Sequence, residues 1–211
     1  MFMLVVEHLE PCLNRWILKE YEMASLLYKG RLIFTNVKSE KQAAILRSFG
    51  TVYRESATEL FNYRNDVVIL DPQAESPLAV EDLMRASYVI VGGIMGSHPP
   101  EGRTKKYISL QMPRALKRNM GSYQYTIAGA VYVLKLIEGG KKLDEIKYIV
   151  GLRITRNLAG VELEIELPYS FPLDENGRVA LPDDYIKIVA EYAPVYESRL
   201  LTGYKDMCEY E

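Results

Sequence analysis

The chain has 211 residues with 48% hydrophobic content, enough for one domain of ordinary size plus an extension, with a real core. A formal net charge of −2 excludes a wholly basic nucleic-acid binder, and the two cysteines, Cys12 and Cys208, have no metal-ligand spacing. No signal peptide or long apolar span is visible, so the expected setting is reduced and cytoplasmic, with no membrane partner.

Along the first 140 residues, short apolar strands alternate with helical patterns, which predicts a parallel α/β sheet covered by helices on both faces. Leu4 to Val6 begins it. His8 follows that strand without a partner in sequence and reads as structural. Asn14 is placed to cap a helix whose apolar face runs Ile17, Tyr21, Ala24 and Tyr28, closed by Gly30. Leu32 to Phe34 is the next strand. Ser39 with Gln42 reads as a capping box for a helix through Ala43, Leu46 and Phe49, ended by Gly50.

Val67 to Leu70 is a further buried strand, and its exit, DPQAESPL, is a polar loop in which Ser76 and Pro77 read as a helix start. Val89 to Val91 form a strand buried on both faces. That strand breaks into a loop, VGGIMGSHPPEGRT, at the kind of junction where α/β sheets bind ligands. The loop is not a phosphate-binding loop: five residues separate Gly96 from Gly102, Arg103 stands where lysine is needed, and Pro99 and Pro100 lack N–H donors. Nor does it open a helix with three spaced glycines, as dinucleotide sites do.

Six bases and no acid fall between Arg103 and Arg118. In the segment RNMGSYQYTIAGAV, Gly121 provides a turn and Ser122 reads as the N-cap of an apolar helix running to Gly139. Within it Ala128, Gly129 and Ala130 leave room for a strand or ligand to approach the backbone. After about residue 143 the pattern alternates: Leu152 and Ile154, then Val161, Leu163, Ile165 and Leu167 with Glu162, Glu164 and Glu166 between them. This predicts an antiparallel hairpin with one wet face, turned at RNLAG. The stretch after Pro182 is acidic and reads as one or two helices.

The segments LDPQAESPL, VGGIMGSHPPEGRT and RNMGSYQYTIAGAV, in that order, resemble the three cofactor loops of the SPOUT methyltransferases. They look like those of a subfamily of predicted RNA methyltransferases, with eukaryotic relatives associated with arginine methylation of a ribosomal protein. The resemblance implies S-adenosylmethionine (SAM) as cofactor, a catalytic domain over residues 1–143 with a trefoil knot near 88–138, and a C-terminal extension over 144–211. It also implies a cofactor site from Leu70, Gly92, Gly93, Ile94, Gly96, Gly102, Arg103, Asn119, Gly121, Ser122, Tyr125 and Ala128. SPOUT enzymes commonly pair as dimers, whereas an extension of this kind is able to leave a monomer, so both oligomeric states stay open.

Methyl transfer is an in-line displacement dominated by alignment of acceptor and methyl. Arginine is protonated at neutral pH, so an arginine acceptor calls for acids that orient the guanidinium and take up its proton. Asp71, Glu75 and Glu101 lie in the loops and are the candidates, with His98 as a titratable neighbour. The expected acceptor is an arginine of a ribosomal protein. RNA is the alternative, for which the six bases would form a strip beside the pocket, and a non-enzymatic RNA-binding or assembly factor is a third reading.

Overall fold

A computed structural model describes residues 1–11, 13–96, 99–158 and 161–201, with side chains described as far as residue 193 apart from positions 158 and 161. His98, both cysteines and the hairpin turn at 159–160 lie outside the described residues. The main sheet contains β1 (Met3–His8), β2 (Leu32–Thr35), β3 (Thr51–Val52), β4 (Val67–Leu70), β5 (Tyr88–Gly93) and β6 (Leu116–Arg118). It has six strands in the order β3-β2-β1-β5-β4-β6. Every pairing in it is parallel, as the unbroken apolar runs predict.

Alternate side chains of each strand feed two cores. Leu4, Val6, Phe34, Val68, Leu70, Val89 and Val91 pack with α1 (Arg15–Leu27), α2 (Glu40–Leu46), α4 (Val80–Arg85) and α6 (Ile127–Glu138). Val5, Ile33, Val67, Ile69 and Ile90 face α3 (Ala57–Phe61) and the segment after α5 (Arg103–Tyr107), through Ile108, Met112 and Ala115. The expected sheet with helices on both faces is therefore present. Among the described residues no helix is long and apolar enough to cross a membrane.

Local signals explain most element ends. Asn14 accepts the Ile17 N–H and Ser39 accepts the Gln42 N–H, as expected, although α2 stops at Leu46 rather than running through Phe49. Two helix starts differ from expectation. The helix after β4 begins at Val80, because the Ser76 carbonyl and the Leu78 N–H that flank Pro77 are bonded to the backbone of Asn119. The apolar helix begins at Ile127, because the Thr126 hydroxyl, not Ser122, accepts the Gly129 N–H. The capping box of Ser56 and Glu59 that starts α3, and the short strand β6 hidden inside the basic run, carry no expectation from the sequence.

The remainder forms the predicted hairpin, β7 (Tyr148–Leu158) with β8 (Val161–Pro172), followed by α7 (Tyr185–Leu201). The strands are longer than the alternating pattern suggested. They build a further core from Ile154, Ile165, Leu167, Phe171, Tyr185, Val189 and Ala190, against which Trp16 of α1 packs. Glu162, Glu164 and Glu166 are exposed on the wet face. The small residues of α6 serve a strand as well as a pocket: a Cβ on Gly129 would lie 3.3 Å from Pro172 of β8.

Candidate cofactor pocket

All strands of the main sheet point the same way, so the loops leaving β4, β5 and β6 emerge at one edge. Together they line a cavity of about 850 Å³ including its mouth. Its walls are Leu70 and Asp71 of the first loop, Gly92, Ile94, Gly96, Glu101, Gly102 and Arg103 of the second, and Tyr125 of the third. Sequence reasoning missed Gln73, Thr104, Met120, Tyr123, Gln124 and Ala130, which also line it. All six lie inside the three loop segments, and only their orientation was unreadable.

Asn119 stitches the first loop to the third. Its N–H donates to the Ser76 carbonyl at 2.9 Å, its carbonyl accepts from Leu78 at 2.9 Å, and its side-chain amide donates to Ala74 at 2.8 Å. Its Oδ1 accepts the N–H of Gly121, whose φ of 100° only glycine adopts readily. Asn119 and Gly121 thus shape the loop, and neither they nor Ser122 are among the cavity's lining residues.

Gly93 and Ala128 also fall outside the cavity lining. Gly93 is small because a Cβ there would meet the Tyr21 hydroxyl at 2.6 Å, and the Ala128 N–H donates to buried Glu20.

The second loop is shaped by close approaches. A Cβ on Gly92 would lie 3.0 Å from the Thr104 hydroxyl, and Gly102 has φ 63° with the Gln73 amide 2.8 Å from where its Cβ would be. Both chain polar groups of Met95 are used: its N–H donates to Glu10 at 2.6 Å, and its carbonyl accepts from Arg103. Burial pushes the Glu10 carboxyl up, opposed by the Met95 N–H and the Arg103 charge. Burial, reinforced by Tyr148, likewise pushes the Tyr125 phenol of the third loop up to about 12.

The candidate acids have different surroundings. Asp71 is buried; its Oδ1 accepts the Gln73 N–H at 2.9 Å and its Oδ2 accepts the Ser109 hydroxyl at 2.6 Å, so it builds the loop. Glu75 is exposed and outside the cavity. Glu101 lines the cavity with its side chain 64% exposed, 3.7 Å from the Arg103 guanidinium, and is free to meet a second cation.

The basic run does not form a continuous free strip. Arg118 is clamped by Asp82, Lys117 donates to the carbonyls of Met112 and Pro113, and Arg103 is held by Met95, leaving Lys105, Lys106 and Arg114 exposed, the last donating to the Tyr63 carbonyl.

Residues 3–195 match the family described as protein arginine N-methyltransferase SFM1-like. The chain belongs to this family. The resemblance drawn from the three loops is thereby borne out. Protein arginine N-methyltransferase SFM1 of Saccharomyces cerevisiae is 25% identical over 205 residues, covering 88% of this chain and 92% of the yeast protein. The crystal structure of that yeast enzyme complexed with SAM superposes with a TM-score of 0.79 at 24% identity, over 92% of each chain. A dual specific Trm10 from Thermococcus kodakaraensis shares the fold more distantly, with a TM-score of 0.53 at 19% identity over 68% of this chain and 96% of its own.

Proposed function

We propose that this SFM1-like family member transfers the methyl group of SAM to an arginine side chain of a ribosomal protein, using the three-loop cavity. The observation that carries the reading is the chemistry of that cavity. Leu70, Val91, Ile94, Met120, Ile127 and Ala130 offer an apolar slot for a flat heterocycle, and it is rimmed by glycine backbone and by Gln73 and Gln124. Such a lining suits a ligand that carries a base, a cation and an amino-acid end, and no lysine lines it to hold a phosphate. The yeast relative's solved complex with SAM supports the same assignment.

When bound, SAM supplies an electrophilic methyl group on a sulfonium. The chain's own residues do the rest. Gly92, Gly96 and Gly102 let the Thr104, Gln124 and Gln73 side chains close in on the loop backbone, and the loops hold the ligand in one pose, which is where an in-line displacement gains most. Glu101 orients the acceptor guanidinium and takes its proton, while Asp71 holds the floor of the first loop and His98 lies outside the described residues. A protein acceptor is favoured over RNA because four of the six bases, Arg103, Arg114, Lys117 and Arg118, donate to groups of the chain itself. The cytoplasmic setting and the trefoil knot belong to the same reading. For the knot, the support is that β6 lies beyond β4 at the sheet edge, while the helix that follows, α6, returns to pack on β5.

Glu101→Gln tests the assignment. It should lower turnover about 100-fold, in line with the contribution of a positioned base, while calorimetry shows SAM binding within about twofold of the parent. Unchanged turnover would remove Glu101 from the chemistry, and no SAM binding by the parent protein would remove the cofactor site.

A further inference from the structure

We infer that Tyr169, carried by β8 of the C-terminal extension, is a positioning residue for the cavity and sets the conformation of the central loop. Its hydroxyl donates to the Gly96 carbonyl at 2.7 Å. The next residue along the strand, Ser170, donates its N–H to the Gln124 carbonyl at 2.8 Å and pairs with Tyr125 as a parallel bridge. Gly96, Gln124 and Tyr125 all line the cavity, on two different loops. Two adjacent residues of one strand therefore fix two walls of the pocket at once.

The junction has no spare volume. A Cβ on Gly96 would lie 2.3 Å from the Gln124 amide nitrogen and 2.5 Å from the Tyr169 ring, so central loop, third loop and hairpin meet at that glycine. The strand that delivers Tyr169 is anchored on either side, since Leu167 and Phe171 are buried in the extension's core. The loop it holds is otherwise rich in glycine and would lose conformational freedom on binding a ligand. A carbonyl fixed beforehand reduces that loss, so the hairpin prepares the site in the ligand-free protein. The inference rests on the reading of the cavity as a SAM site, but the preordering itself does not require SAM to be seen.

Tyr169→Phe keeps the ring and removes only the hydroxyl. In the ligand-free protein, amide hydrogen exchange over Ile94–Gly96 should quicken at least about threefold, while peptides from β4 and β5 and the thermal midpoint stay as in the parent. The KM for SAM should rise roughly five- to tenfold with kcat nearly unchanged, the pattern of lost ground-state binding. Equal exchange and equal KM in parent and variant would overturn the inference. A uniform rise in exchange with a lower midpoint would also overturn it, by reducing Tyr169 to a packing role. If the parent binds no SAM at all, the cofactor reading fails and the exchange comparison alone decides whether the brace exists.

Discussion

The parallel sheet and the C-terminal extension differ in how they are joined to their neighbours. In the sheet, Leu4, Val5, Val6, Val89 and Ile90 are fully buried and meet helices through apolar contact on both faces. The extension has its own apolar core, yet several of its ties to the sheet are polar. Glu20 of α1 accepts the Tyr185 hydroxyl and the Ala128 N–H, each at 2.6 Å, while Trp16 donates to the same Tyr185 oxygen at 3.0 Å. Tyr169 and Ser170 reach the pocket loops by hydrogen bonds as well. Apolar burial is strong and undirected, whereas hydrogen bonds are directional. The sheet therefore determines where the loops start, and the extension determines the shape in which two of them are held.

The sharpest way to break this division is at Glu20. Burial pushes its carboxyl up even though Tyr185, Ala128 and other donors favour the charged form. Glu20→Ala would leave two buried donors without an acceptor and should cost about 2–6 kcal/mol, at roughly 1–3 kcal/mol per orphaned group. Hydrogen exchange should place the loss at α7 and the start of α6, with the β1 and β5 amides affected least. Loss spread evenly over the sheet would contradict the comparison.

The sheet's own sensitive point is His8, buried at the end of β1 with Nδ1 2.8 Å from the Tyr21 hydroxyl. Burial lowers its pKa to about 4 from 6.5. The unfolded chain therefore binds the proton more readily between those values, and stability present above pH 6.5 is lost as pH falls toward 4, by up to about 3 kcal/mol. Glu7, Glu10 and Glu20 act with the opposite sign, because burial raises them and their contribution is lost as pH rises above 4.5. The effect is thus best read as the difference between parent and His8→Gln. Chemical denaturation at pH 7 and pH 4.5 should show the variant gaining about 2–3 kcal/mol relative to the parent as the pH falls between those values.

A smaller effect is expected in the loop that depends on neither half alone. Gly102→Ala introduces a Cβ at φ 63° beside Gln73 and should cost about 1 kcal/mol, read by thermal unfolding. Its SAM affinity should fall by more than that stability change suggests, because the strain falls on the pocket wall.

Much of the sheet was legible because β1, β2, β4 and β5 are short apolar runs buried on both faces, and the pocket loops because glycine and proline break those runs. Reasoning failed where a distant partner overrode a local signal. Ser76 and Pro77 read as a helix start, but Pro77 is held in a parallel bridge with Asn119. Ser122 reads as a cap, yet Thr126 is the residue that meets the first turn of α6. The strand β6 is concealed because Leu116, Lys117 and Arg118 look basic and exposed, while their backbone pairs with Val68, Ile69 and Leu70. Tyr169 was invisible for the same reason: a hydrogen bond to Gly96 across such a sequence separation leaves no pattern near either residue.

The central claim is that the three-loop cavity serves methyl transfer to protein arginine. It is tested most directly by incubating the purified protein with methyl-labelled SAM and salt-washed ribosomal subunits, then separating RNA from protein and hydrolysing the protein fraction. Label is expected in the protein, recovered as methylarginine and lost with Glu101→Gln. Label confined to the RNA, or recovered on any amino acid other than arginine, would contradict it.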